Sequence, residues 1–258
     1  MRLNKLIMSA SVMLFMSCGE EIEQDNIEES TVVSAIETEE SINKVNPLKN
    51  KLDAKKAKFE ATASEDKKEK YAAGIQFVID NKIVESAMQI GDQAPDFSLT
   101  NALGKTVNLY SELEKGPVIL MWYRGGWCPY CNMTLHAMQE NLPLFKELGA
   151  NLLALTPELP DSSISTSEKN DLDFQVLSDL NNQVARQYKV VFTLTDDVGD
   201  LYENGFGLSQ YNGNNDNELP LAATYIVGTD KIIKYAFLDP DYRNRAEPSD
   251  IINVLEKM

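Results

Sequence analysis

Pro117 to Tyr123 is an unbroken apolar run, bounded by Gly116 on one side and by the Gly125-Gly126 pair on the other. A run of that length between turn residues predicts a buried strand. Beyond it, Leu135, Met138, Leu142 and Phe145 recur at helical spacing, so a helix with one apolar face follows, with Pro143 as an expected kink and Gly149 as its stop. Asn151 to Leu155 reads as the next strand, Phe174 to Leu177 as a short one, and Gln183 to Tyr188 as a short helix. Ala223 to Val227 and Ile232 to Phe237 read as two strands joined across Gly228-Thr229-Asp230. A terminal helix starts at Pro248 and carries Ile251, Ile252 and Leu255. The order is strand, helix, strand, then strand, strand, helix. It predicts an α/β domain with a central mixed β-sheet flanked by helices. The stretch from Gly205 to Leu219, full of Asn and Gly, reads as a surface loop.

The compact domain is expected over residues 88–258. Before it, Leu48, Leu52 and Phe59 stand at near-helical spacing among Lys49, Lys51, Lys55, Lys56 and Lys58. Ser64 then reads as an N-cap ahead of Tyr71, Ile75, Val78 and Ile79 on one face. Residues 47–87 are therefore expected to be a helical extension, a hairpin packed on the domain or spacing it from what precedes. Residues 18–46 are rich in Glu and show no sustained apolar period, which predicts a disordered acidic tether. In residues 1–17, Arg2 and Lys5 precede an apolar run from Leu6 to Met16, the charged and apolar regions of an export signal, too short to span a bilayer. Phe15-Met16-Ser17-Cys18-Gly19 resembles the lipobox of bacterial lipoproteins. That resemblance implies cleavage before Cys18, a lipid on its sulfur, and a protein of the cell envelope anchored at the periplasmic or surface face. Ordinary cleavage that leaves an unmodified thiol is the competing reading.

Charge narrows the partners. The 258-residue chain is 43% apolar with a formal charge of −16, and such an acidic surface repels nucleic-acid phosphates and anionic headgroups. No nucleic-acid partner is expected, and the lipid on Cys18 is the expected membrane contact.

With Cys18 modified, two thiols remain, in Trp127-Cys-Pro-Tyr-Cys131. The first follows the predicted buried strand and the second opens a helix, where free backbone N–H groups and the helix dipole favour thiolate. Two intervening residues let the sulfurs meet within one turn, so a disulfide forms with little backbone movement. Arg124 is close enough in sequence to add positive charge, and Trp127 and Tyr130 read as walls of a thiol pocket, whereas Tyr123 reads as core. A structural zinc site needs four ligands, and the chain offers one further Cys and one His, so no metal and no cofactor are expected. His136 reads as a surface or packing residue. A structural disulfide would close a very short loop and constrain the unfolded chain little. Redox chemistry at Cys128 and Cys131 is the preferred reading.

The segment Tyr123 to Cys131 resembles the active-site region of the peroxiredoxin-like (AhpC/TSA, redoxin) proteins of the thioredoxin superfamily. Gly91-Asp-Gln-Ala-Pro-Asp-Phe-Ser-Leu99 resembles the hairpin that opens their domains. Leu177-Ser-Asp179 with Ala185 and Tyr188 resembles their midsection, and Asp239 to Pro248 resembles the C-terminal region of the peroxiredoxin-like subgroup. The resemblance implies a thioredoxin-like fold and a thiol-dependent peroxidase acting on hydroperoxides in antioxidant defence. It also implies a Cys pair recycled by a thioredoxin-like protein reductant. Laid on the family motif, the peroxide-attacking Cys falls on Cys131, the motif Thr on Cys128 and its Pro on Arg124. A later Arg of the family falls on Ala222. On this alignment Cys131 is the thiol struck by peroxide and Cys128 resolves it. Cys-Pro-Tyr-Cys also suits an envelope dithiol-disulfide oxidoreductase in which Cys128, expected to be the more exposed sulfur, attacks. A binding or scaffold lipoprotein without turnover is a third reading. Oligomeric state is not legible.

Overall fold

The computed structural model describes residues 47–101 and 103–258. The export segment, Cys18 and the acidic tether lie outside the described residues.

Helices α1 (Pro47–Thr62) and α2 (Glu65–Asp80) come first, followed by one turn, α3 (Ile83–Ser86). Strands β1 (Ser98–Thr100) and β2 (Thr106–Asn108) form a hairpin, and α4 (Leu109–Leu113) leads to β3 (Val118–Trp122). Next come α5 (Pro129–Glu147), β4 (Asn151–Thr156), α6 (Pro160–Lys169), β5 (Gln175–Ser178) and α7 (Gln183–Gln187). The chain continues through β6 (Val191–Thr193), α8 (Asp196–Phe206), α9 (Leu208–Asn212), β7 (Glu218–Pro220), β8 (Thr224–Val227), β9 (Ile233–Phe237) and α10 (Pro248–Leu255).

The main sheet has the order β5-β4-β3-β8-β9. β3 runs parallel to β4 and antiparallel to β8, β4 is parallel to β5, and β8 is antiparallel to β9. The central mixed sheet expected from the order of elements is present, because α5 returns the chain for a parallel neighbour and the Gly228 turn can only make an antiparallel one. Every residue of β3 is buried, which is why it reads as a continuous apolar run. Its side chains still alternate: Val118, Leu120 and Trp122 join one core with Leu153, Leu155 and Tyr225. Ile119 and Met121 join the other with Leu135, Met138 and Phe145 of α5 and Ile251 of α10.

The helical extension is built into both cores. Leu48 and Leu52, one turn apart on α1, are buried in the α5 core, and burial of each contributes roughly 1.5–3 kcal/mol. Val78 of α2 is buried in the other core with Val198 and Tyr202 of α8. The hairpin thus contributes to both cores, and it forms one unit with the rest of the domain. The Ser64 cap is present, its side chain accepting from the Lys67 N–H at 3.4 Å.

α5 holds Pro143 within it and ends at Glu147, just ahead of Gly149. Two expectations need correction. Ile79 faces solvent at 43% exposure, one position off the face set by Val78. The Gly205 to Leu219 stretch holds α9 and β7 besides loop, because Leu208 and Leu219 are buried anchors and β7 pairs antiparallel with β6. Among the described residues no helix is long and apolar enough to cross a membrane.

Candidate active site

Ladder bonding holds the chain until β3 ends: the Trp122 N–H donates to the Ala223 carbonyl and the Tyr123 N–H to the Leu155 carbonyl, each at 2.9 Å. The turn that follows depends on its two glycines. Gly125 has φ +150°, and a Cβ there would lie 2.2 Å from the Trp127 indole nitrogen, so only glycine lets Trp127 fold back over the turn. A Cβ on Gly126 would lie 2.0 Å from Thr166 Oγ1, and its free N–H donates to Glu158 Oε1 at 2.9 Å. Cys128 is then the N-cap of α5, Pro129 occupies its first turn, and Cys131 follows within that turn.

Both thiols are free and buried, Cys128 at 1% exposure and Cys131 at 0%. Each faces its own guanidinium: Arg124 Nη1 stands 3.9 Å from the Cys128 sulfur, and Arg245 Nη2 stands 3.4 Å from that of Cys131. Burial opposes ionisation of Cys131, but the Cys128 thiol's hydrogen bond and the charges of Arg245 and Arg124 outweigh it, holding Cys131 well below the ordinary thiol range. Burial, and then its bond to Cys131, push Cys128 well above that range. Of the two thiols, Cys131 is therefore the one that ionises first, with the Cys128 thiol donating to it. Behind it, Glu158 is wholly buried. Burial pushes its carboxyl up to about 7 against the Gly126 N–H, and charge on Cys131 pushes the same way.

A cleft of about 300 Å³ opens beside Cys128. Cys128, Arg124, Trp127 and Tyr130 line it, and Cys131 does not. The sequence places the peroxide-meeting role on Cys131 by alignment and greater exposure on Cys128. In the structure neither sulfur is exposed, and Cys128 alone reaches the cleft, because the N-cap position projects outward while the next turn is covered by Arg245. Arg124 is 1% exposed, lies 3.9 Å from the centre of the Tyr242 ring, 4.9 Å from Trp127 and 5.1 Å from Tyr202, and donates to the Tyr202 hydroxyl. Trp127 stacks on Phe206 at 4.5 Å. Tyr123 is core, as its place in the run predicts. His136 is on the surface beside Glu140. Asp179 is buried and accepts the Val184 and Ala185 N–H groups at 2.8 and 2.9 Å, a structural role at the start of α7.

Sequence reasoning missed Arg245, Tyr242, Tyr202 and Glu158. Arg245 lies 114 residues from Cys131. Its signal was the Asp239 to Pro248 segment, quoted above only as a resemblance, which carries both Arg243 and Arg245. The family's later Arg falls on Ala222, and the guanidiniums beside the thiols come instead from Arg124 and Arg245.

Residues 90–236 match the AhpC/TSA family. Over 108 residues the chain is 32% identical to the thiol-disulfide oxidoreductase ResA of Bacillus thuringiensis subsp. konkukian, covering 42% of this chain and 61% of that protein. Over 103 residues it is 30% identical to the peroxiredoxin Bcp of Escherichia coli K12, covering 40% of this chain and 65% of that protein. The chain thus spans less than two thirds of the length of these relatives. Among solved structures, the peroxidoxin BcpB of Mycobacterium tuberculosis superposes with a TM-score of 0.53 at 20% identity, over 66% of this chain and 98% of that one. A cysteine-to-serine mutant of Xylella fastidiosa PrxQ gives a TM-score of 0.53 at 17% identity, over 67% and 98%. The chain has the thioredoxin-like fold of these proteins.

Proposed function

The chain belongs to the AhpC/TSA family of thiol oxidoreductases, and on that premise we propose that it is a thiol-dependent peroxidase whose Cys128 attacks a small hydroperoxide and whose Cys131 resolves the product. One observation carries this reading: Cys128 is 1% exposed yet lines a cleft of about 300 Å³. A small hydroperoxide fits such a cleft as it stands, whereas a folded protein, as disulfide substrate or as reductant, needs the segment around Cys128 to open first.

As Cys128 attacks, its proton passes to Cys131 along their hydrogen bond, and Arg124 stabilises the charge arriving on the attacking sulfur. The Cys128 sulfur bonds to the terminal peroxide oxygen, the O–O bond breaks, and the alkoxide leaves to take a proton from water. The Cys131 thiol then attacks the Cys128 sulfenic acid, closing a disulfide and releasing water. An external thioredoxin-like dithiol reduces the disulfide and is itself oxidised. The overall change is hydroperoxide plus dithiol to alcohol, water and disulfide. Export and a lipid on Cys18 would place this chemistry on the envelope, as a membrane-anchored antioxidant.

The second reading is dithiol-disulfide exchange. Its support is the position of Cys128 as N-cap and the 32% identity to a thiol-disulfide oxidoreductase.

The test compares the intact protein with Cys128→Ser and Cys131→Ser in hydroperoxide consumption driven by a dithiol, alongside reduction of a protein disulfide. Cys131→Ser is expected to react once and give a sulfenic acid trapped by a dimedone-type reagent at residue 128, with Cys128→Ser inert. Trapping at residue 131 in Cys128→Ser would return the attacking role to Cys131. Protein-disulfide reduction without hydroperoxide consumption would favour the second reading.

A further inference from the structure

The family match begins at residue 90 and ends at residue 236, yet half of the cleft wall lies outside it. Lys55, Lys58 and Phe59 of α1, Lys67 and Tyr71 of α2, and Tyr242 of the C-terminal segment all line the cleft. The helical hairpin therefore builds a mouth over the family's thiol site.

That mouth has a charge opposite to the rest of the molecule. The chain carries −16 overall, but no carboxylate lines the cleft. None of Lys55, Lys58 and Lys67 forms an ion pair with a carboxylate among the described residues. By contrast, Arg243, which also lines it, is held by Asp241 and faces Glu60 at 3.4 Å. At the floor Arg124 is buried with aromatic rings, the Tyr202 hydroxyl and the Cys128 thiol around it, and its Nε has no hydrogen-bond partner among the described residues. The thiol pair beside Arg124 supplies the negative charge at the floor, but the ammonium groups of Lys55, Lys58 and Lys67 at the mouth, which have no carboxylate partner among the described residues, are matched only when an anion enters. Between floor and mouth the walls are aromatic: Phe59 meets Tyr71 edge-on at 5.5 Å, and Trp127 stacks on Phe206. The volume is at the small end of ligand pockets.

We propose that the α1–α2 hairpin is an anion-selecting subsite, and that the substrate is a small organic hydroperoxide with an apolar body and a carboxylate. The hydroperoxide end lies at Cys128 and Arg124, the body between the aromatic walls, and the carboxylate among Lys55, Lys58 and Lys67. The inference rests on the peroxidase reading for the reactive end, while the anion subsite stands on the cleft alone.

The two are tested separately on the full chain. Binding of unreactive para-isopropylbenzoate, read from tryptophan emission, is expected to be at least about tenfold tighter than that of isopropylbenzene, and to weaken with added salt. The triple variant Lys55→Gln, Lys58→Gln, Lys67→Gln is expected to weaken it about tenfold. In turnover with a dithiol, the ratio of kcat/KM for the para-carboxylate of cumene hydroperoxide to that for cumene hydroperoxide should fall by about the same factor in the variant, through KM. Equal binding of the charged and neutral probes, or a carboxylate affinity unmoved by both the variant and salt, overturns the subsite. Lysine-dependent binding of para-isopropylbenzoate with no consumption of either hydroperoxide upholds the subsite and overturns the peroxidase reading.

Discussion

Glu158→Gln is the sharpest test of the electrostatics behind the thiols. The Glu158 carboxyl is wholly buried, accepts the Gly126 N–H at 2.9 Å and meets the Thr156 hydroxyl at 3.4 Å. No basic side chain among the described residues pairs with it. Burial, the largest influence, raises its pKa from 4.5 to about 7, which corresponds to about 3 kcal/mol in favour of the neutral form. Because the folded value lies above the unfolded one, the stabilising contribution is full below about 4.5, declines as pH rises, and is gone above about 7. Glutamine keeps the acceptor for Gly126 and has no proton to lose. Urea unfolding of reduced protein from pH ~4 to pH ~8 should therefore show the stability of the variant gaining on that of the wild type by about 3 kcal/mol as pH rises. Taking the difference between the two proteins cancels the other titrating groups. A difference independent of pH would mean that Glu158 ionises in the folded protein as it does in water, and would refute the burial argument.

Arg245→Gln removes the guanidinium 3.4 Å from the Cys131 sulfur, so the thiolate absorbance of the reduced pair should titrate at higher pH than in the wild type; an unchanged titration would mean that Arg245 only packs there. Cys18→Ala should move the protein from the membrane fraction to the soluble one, and retention in the membrane would exclude a lipid on Cys18 as the anchor.

Much of this protein was legible as local pattern. The buried β3 run, the helical face of α5, the Gly228 turn and the order of the elements determined the mixed sheet, because an apolar run between glycines and a helix-length crossover admit few other arrangements. Cys128 and Cys131 were legible because the chemistry of a Cys pair at a strand-to-helix junction depends on neighbours in sequence. The partners of each thiol were not. Arg124 could be named from its closeness in the chain, but its orientation depends on three rings that arrive from α8, from the turn before α5 and from the C-terminal segment. Arg245 reaches Cys131 from the segment between β9 and α10, and Glu158 comes from beyond the end of β4. The sequence assigns the lysines of α1 no role; Leu48 and Leu52 anchor the helix beside α5, and Lys55 and Lys58 thereby line the cleft. Burial decides the rest: spacing sets which thiols can meet, but exposure and unpaired charge are properties of surfaces that only close when distant segments pack. The access of Cys128, the shelter of Cys131 and the cationic mouth of the cleft were therefore decided by the tertiary structure alone.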